Sequence, residues 1–188
     1  MINKYVLTRS QNVRFIRDNM DDFLSDSLSL SRYSEDDPDY QKAKENFLKA
    51  YEYILTNKEV ENDYKCLLTL HEILMEGLNS DVKSELNDQQ ILHLNEMINQ
   101  PAKANLEIAI DVMLYILDKR LFSDGDVRAA LMFANKIMVD CGCGFITIKP
   151  EYKELFREKL HDFRDGKPTD IKDWVYKYCI KGIKTEYM

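Results

Sequence analysis

The amino-acid sequence predicts an all-α protein, a helical bundle around a central pair of helices with at most a very short β element. Three observations favour this fold class. Apolar residues recur at helical spacing along most of the chain, only 6 glycines and 4 prolines interrupt its 188 residues, and two neighbouring segments are apolar on almost every side. This length suits one core, so a single domain over 1–188 is expected, with N-terminal helices in 1–60 and the main helical core in 61–188.

The first half of the chain alternates amphipathic segments with polar connections. Residues 10–28 carry apolar side chains close to helical spacing after Ser10, a residue suited to an N-cap, which predicts one helix. Serine, aspartate and proline in 29–40 predict an acidic loop. Further amphipathic helices are predicted at 40–57, 63–79 and, shorter, around 90–99.

The second half contains the predicted centre of the bundle. Residues 101–119, opened by Pro101, and residues 127–140 are apolar almost all round, which is typical of helices buried on every side. We expect them to form the central pair, with the loop between them leaving the core at one place. After this pair, the sequence predicts a short β-like run at 144–149 and a helix opened by Pro150. It then predicts a helix at 169–184 with Thr169 as its cap.

The composition argues against several classes of function. The chain carries 26 Lys and Arg against 33 Asp and Glu, a net charge of −7, which disfavours a broad nucleic-acid surface. No segment approaches the roughly 18 to 20 apolar residues needed to cross a bilayer, and the first residues lack the apolar stretch of a secretion signal. The 4 cysteines are few and fit reduced, packed thiols. We therefore expect a cytoplasmic protein that binds neither nucleic acid nor membrane.

A polar loop, "RLFSDGDVRAAL" at 120–131, separates the two apolar helices and is the strongest candidate site. Gly125 gives the backbone more conformational freedom where the second helix starts. The amides that follow would lie at a free helix N-terminus, which favours anions. These amides belong to Asp126, Val127 and Arg128. The guanidinium of Arg128 adds a group suited to phosphate.

Asp124 adds a hard oxygen ligand that could hold Mg²⁺ against such a phosphate. An ordinary capped turn, with Asp124 or Asp126 as the N-cap of the second helix, explains the same spacing. From spacing alone, both interpretations stay open.

The loop and its surroundings resemble the Fic (Fido) family, whose signature runs from a histidine through Pro-Phe and Asp or Glu into Gly-Asn-Gly-Arg, with a second arginine three residues later. The matching residues in this chain are Phe122, Asp124, Gly125 and Arg128. Similar segments on both sides, "LLTLHEILMEGL" and "MFANKIMVDCGCGFITIKPEYKELFREKL", extend the resemblance over roughly 60–180. The resemblance implies a Fic-like bundle with 61–188 as its core.

Members of that family transfer AMP from ATP to a hydroxyl of a target protein. The resemblance therefore implies ATP and Mg²⁺ as cofactors and a protein as partner. Asp124 would hold Mg²⁺, and Arg128 would bind the phosphates. Gly125 and the amides of Asp126 and Val127 would cradle the phosphates.

Two departures from the family pattern affect this chemistry. Arg120 occupies the place of the family's histidine, the base that removes the proton of the target hydroxyl. An arginine stays protonated, with a pKa above about 12, and offers no lone pair, so Arg120 is not expected to act as the base. Leu131 replaces the second arginine, and Asp126 and Val127 replace Asn and Gly, so weaker phosphate binding is expected.

We therefore expect a catalytically impaired or inactive Fic fold that serves as a binding or regulatory module for a protein partner. The alternative is an active nucleotidyl- or phosphotransferase of altered mechanism, which would use Asp124 with Mg²⁺ and Arg128. Transfer of this type depends strongly on positioning and charge, so some rate could survive without a base.

Two further family elements are weak or altered. The β-hairpin flap that the family places before its core helix would fall in "NSDVKSELNDQQ" at 79–90, which shows no alternating pattern, so docking of a target by strand addition is expected to be lost or reduced. The family's inhibitory motif, a Ser or Thr with Glu four residues on, is matched by Ser31 and Glu35, but its arginine partner is absent. A solvated acidic loop explains the same two residues.

Overall fold

The fold is all-α, as predicted, in a computed structural model that describes residues 1–78 and 86–183. The described residues form nine α-helices and one two-stranded antiparallel sheet. The helices are α1 Arg9–Asp18, α2 Met20–Leu30, α3 Tyr40–Thr56, α4 Tyr64–Met75, α5 Asp88–Ile98, α6 Asn105–Lys119, α7 Asp126–Asp140, α8 Lys153–Arg164 and α9 Ile171–Tyr178. The strands are β1 Phe145–Ile146 and β2 Ile180–Lys181.

Helices α6 and α7 are the central pair that the sequence predicts. Twelve of the 15 residues of α7 are buried, and α3, α4 and α6 pack around it. The predicted start of α6 at Pro101 is wrong, because residues 101–103 form a turn and the helix begins at Asn105. Ala104 cannot cap this start with its side chain, and Asn3 does so instead by accepting a hydrogen bond from the amide of Leu106 at 3.1 Å.

The predicted single helix at 10–28 is two helices, so that prediction is wrong. Asn19 separates them, because its side-chain amide donates to the carbonyl of Phe15 at 2.8 Å and its backbone leaves helical geometry. A short amide side chain that competes for backbone groups commonly ends a helix in this way. The cap of α1 is Thr8, in a capping box with Gln11, and the predicted cap Ser10 lies inside the helix.

The short β-like run is confirmed as β1, but its partner was predicted as helix. Phe145 pairs with Lys181 and Ile146 with Ile180, so the helix predicted at 169–184 ends early, at Tyr178. The buried Asn135 of α7 joins this sheet to the core. Its side chain accepts from the amide of Ile146 at 2.7 Å and donates to the carbonyl of the same residue at 2.9 Å.

The C-terminal helices close one side of the central pair. Pro150 opens a 3-10 turn, Pro150–Tyr152, that leads directly into α8. At the start of α9, the hydroxyl of Thr169 accepts from the amide of Ile171 at 3.3 Å, close to the predicted cap. Both α8 and α9 pack against α6. Among the described helices, none combines the length and apolar character that a membrane span requires.

Candidate anion-binding site

The loop between α6 and α7 forms the floor of a cleft of about 290 Å³. Residues from α2 and α8 complete its walls. The cleft is lined by Leu30, Ser31, Arg32, Arg120, Ser123, Asp124, Gly125, Asp126, Val127, Arg128, Arg157 and Arg164. All six predicted loop residues therefore meet here together with Ser31, whereas the exposed Glu35 is not among the lining residues.

The turn before α7 has a backbone that only glycine fits. Gly125 has a φ of +84°, and a Cβ on it would lie 2.7 Å from the Sδ of Met75 and 3.2 Å from the Nε2 of His71. His71 in turn holds the loop against α4. Its Nε2 lies 2.8 Å from the carbonyl oxygen of Asp124, and its ring stacks on that of Phe122 at 3.8 Å between centroids. Phe122 is buried, so this stacking anchors the loop in the core.

Neither aspartate of the loop caps α7. Gly125 is the N-cap residue, and no side chain accepts from the first amides of the helix. The carboxylate of Asp126 accepts instead from the amide of Phe122 at 3.0 Å, which closes the loop on itself. Burial raises the pKa of Asp126 to about 6. The capped-turn alternative is therefore wrong in its detail, since the start of α7 keeps the uncapped amides that suit an anion.

Asp124, the predicted Mg²⁺ ligand, lies between two arginines. Its Oδ1 accepts from the amide of Gly125 at 2.7 Å, and its Oδ2 lies 3.1 Å from the Nη2 of Arg32, an ion pair without the alignment of a hydrogen bond. Arg128 is more distant, with 3.8 Å between its Nη2 and the Oδ1 of Asp124. Within residues 1–78 and 86–183, three or more His, Cys, Asp or Glu side chains do not come together as a possible metal site.

Arg128 is almost fully enclosed, with 5% of its surface exposed. Its Nη2 lies 2.8 Å from the Sδ of Met75, and its guanidinium carbon lies 5.2 Å from the centre of the Tyr33 ring. Its buried Nη1 has no hydrogen-bond partner among the described residues. Burial lowers the pKa of Arg128, since desolvation disfavours the charged form. A buried guanidinium nitrogen without a partner is costly unless a ligand satisfies it.

Arg120 has the single non-glycine backbone with positive φ in the described part of the chain, at +46°. It ends α6 in the left-handed conformation, and its side chain is exposed at the cleft. Leu131, at the place of the family's second arginine, is buried in the hydrophobic core and does not line the cleft.

The cleft concentrates positive charge in an acidic protein. Five arginines and two aspartates line it, although the whole chain has a net charge of −7. Sequence reasoning missed three of these arginines, namely Arg32, Arg157 and Arg164. The last two are seven residues apart on α8, a spacing of two turns that could have indicated a shared face.

Arg164 also supports the frame of the site. Its guanidinium donates to the carbonyl of Leu117 in the last turn of α6, with 2.9 Å from Nε to oxygen. Burial and the neighbouring Arg120 lower its pKa. Arg157 is half exposed and pairs with Glu154 on its own helix. Helix α8 therefore supplies two guanidinium groups to the cleft, Arg164 bonded to the backbone of α6 and Arg157 half exposed to solvent.

Comparison with known proteins adds no family assignment. No protein-family model matches the chain, and a search of curated proteins finds no match either. The resemblance to the Fic family stays a prediction.

Proposed function

We propose that this protein is a Fic-like fold in which the nucleotide pocket serves as a binding site for a phosphorylated anion, while AMP transfer is lost or greatly slowed. The observation that carries the proposal is Arg128, a buried guanidinium whose Nη1 has no partner among the described residues, in a cleft lined by four more arginines. Arginine recognises phosphate well because it offers several donors in a fixed plane.

The backbone supports the same ligand class. The first amides of α7 receive no side-chain cap, and Gly125 keeps the approach to them free of a Cβ. Amides at a helix N-terminus favour negative charge through both hydrogen bonding and the helix dipole. The guanidinium of Arg128 and these amides belong to one cleft, so a single phosphate group could contact both.

The same residues argue against efficient transfer to a hydroxyl. Arg120 stands where the resemblance implies the base, and it has no lone pair to accept a proton. His71 is the histidine that contacts the loop. It is buried beside Phe122, and its Nε2 forms a hydrogen bond with the carbonyl oxygen of Asp124. Burial lowers its pKa. Its Nε2 is therefore committed to holding the loop.

A binding module of this kind would act through a protein partner, with ATP or a related phosphate compound as the bound ligand. The resemblance assigns target docking to the segment 79–90. Residues 79–85 of this segment lie outside the described residues. The proposal includes a cytoplasmic location, where the cysteines would stay reduced. All 4 are free thiols in the described structure.

Thermal melts of the purified protein with ATP, with AMP and with inorganic pyrophosphate test the binding part of the proposal. Ligand at about 100 times its Kd adds roughly 2.7 kcal/mol of stability, which corresponds to a rise in Tm of about 5–10 °C for a chain of this size. We expect the rise to be lost in Arg128→Met and reduced in Arg157→Gln, a half-exposed position where substitution should change stability little. Arg14→Gln, which removes an exposed arginine of α1 outside the cleft, is the matched control. No rise with any of the three ligands would refute the binding proposal.

Transfer is tested separately with ATP labelled on its α-phosphate. We expect no label on the protein itself or on proteins of a cell lysate, either for the wild type or for Arg120→His, because Leu131 and Asp126 remain unchanged in that variant. Incorporation of label by the wild type would establish the transferase alternative and refute the loss of activity.

A further inference from the structure

The Fic resemblance implies Mg²⁺ at Asp124, but an arginine of the chain itself already lies beside this carboxylate. Arg32 follows the end of α2, and its Nη2 lies 3.1 Å from the Oδ2 of Asp124. The other oxygen, Oδ1, already accepts from the amide of Gly125. Both carboxylate oxygens of Asp124 therefore have positively polarised neighbours before any metal ion arrives.

Tyr33 holds Arg32 in this position. The Nη2 of Arg32 donates to the Tyr33 hydroxyl at 3.1 Å, and its guanidinium carbon lies 5.1 Å from the centre of the Tyr33 ring. The hydrogen bond raises the pKa of Arg32, so the guanidinium stays charged. The ring of Tyr33 also lies 5.2 Å from the guanidinium carbon of Arg128, so one buried tyrosine orients two of the cleft's arginines.

The residues of the cleft do not fit a magnesium ion well. Mg²⁺ beside a bound phosphate takes one or two protein carboxylates as ligands and completes its octahedral geometry with phosphate oxygens and water. Asp126 is the second carboxylate that lines the cleft, and its Oδ1 is engaged by the amide of Phe122. An ion at Asp124 would also lie close to the charged groups of Arg32 and Arg128, which repel it.

We infer that this cleft binds its phosphorylated ligand without a divalent cation, with Arg32 in the role that the metal ion would otherwise fill. This inference rests on the proposed function. Five arginines against two aspartates supply the charge that balances such an anion.

Calorimetric titration of the full chain with inorganic pyrophosphate tests the inference. One titration is made in excess EDTA and one in excess Mg²⁺, with inorganic phosphate as a second probe. We expect binding in EDTA to be at least as tight as in Mg²⁺, because the metal competes for the free pyrophosphate and adds nothing in the cleft. Binding that requires Mg²⁺ would overturn the inference and leave the proposed function standing. No binding of pyrophosphate or phosphate under either condition would also overturn the inference, and the proposed function would fall with it if ATP and AMP failed to raise Tm.

A variant at Arg32 separates its role from the general charge of the cleft. In Arg32→Gln, we expect affinity in EDTA to fall by about three- to fivefold, because the Arg32 side chain is 55% exposed and water screens its charge. Mg²⁺ should then restore part of this affinity, because the Oδ2 of Asp124 is no longer paired. Arg14→Gln should leave both titrations unchanged. An Arg32→Gln protein that binds as the wild type does, with or without Mg²⁺, would also overturn the inference.

Discussion

Replacement of Arg120 by glycine should stabilise the fold and weaken the binding of anions. Arg120 has φ of +46° and ψ of +62°, the left-handed conformation at the end of α6. This conformation destabilises the fold by about 1–2 kcal/mol for a residue with a Cβ. Glycine avoids that strain, but its greater freedom in the unfolded chain destabilises the fold by about 0.5–1 kcal/mol. The net gain for Arg120→Gly is therefore about 0–1.5 kcal/mol, with a midpoint of about 0.75 kcal/mol. For a chain of this size, the midpoint gain raises Tm by about 1.5–3 °C.

The loss of binding follows from the side chain. The guanidinium of Arg120 is exposed at the cleft, so its attraction to a phosphate is screened by water. An exposed charge pair contributes up to about 1 kcal/mol, which predicts a rise in Kd of about three- to fivefold. A strained residue that lowers stability while it serves a ligand is a common arrangement at binding sites.

Arg120→Ala is the matched control, because alanine keeps the strained backbone and loses the guanidinium. Urea denaturation of both variants and titration with pyrophosphate provide the two readouts. Both variants should bind pyrophosphate equally weakly, and the glycine variant alone should be more stable than the wild type. Equal stability of the glycine and alanine variants would refute the left-handed end of α6, and unchanged affinity in both would remove Arg120 from the site.

Three other predictions follow from contacts near the site and in the core. Gly125→Ala should lower the free energy of unfolding by about 1–3 kcal/mol, because the new Cβ would lie 2.7 Å from the Sδ of Met75 at a φ of +84°; a urea midpoint equal to that of the wild type would contradict this packing. Asn135→Leu should cost about 2–4 kcal/mol, because it leaves the amide and the carbonyl of Ile146 unpaired in the core; a loss below about 0.5 kcal/mol in the same assay would argue against this contact. A disulfide reagent should modify Cys141 first in the native protein and all four cysteines only after unfolding. The other three thiols are buried, and burial raises their pKa to about 11 or 12. Rapid modification of two or more thiols in the folded state would contradict this burial.

The elements that periodicity predicted well are those whose apolar pattern and burial coincide. The prediction for 40–57 agrees closely with α3, Tyr40–Thr56, and that for 127–140 with α7, Asp126–Asp140. The break at Asn19 was missed because one side chain, competing for a backbone carbonyl, divides an otherwise continuous helical pattern. Strand β2 was missed because its conformation depends on pairing with β1, which is distant in the sequence.

The same distinction applies to the candidate site. The loop residues could be predicted because Gly125 and Arg128 are neighbours in the chain and their chemistry follows from local order. Arg32 and Arg164 could not be placed at the site in this way, because α2 and α8 bring them to the loop only in the folded protein. The pairing of Asp124 with Arg32 likewise depends on that tertiary arrangement, so the sequence alone could not indicate it.

The most direct test of the anion site is an NMR titration of the isotope-labelled protein with inorganic pyrophosphate in EDTA. We expect the largest shifts in the backbone amides of Val127 and Arg128, at the uncapped start of α7, and in the guanidinium of Arg128. The amide of Asn12, buried in α1 and outside the cleft, should not move. Shifts confined to other surfaces, or none at saturating pyrophosphate, would show that this cleft does not bind the anion.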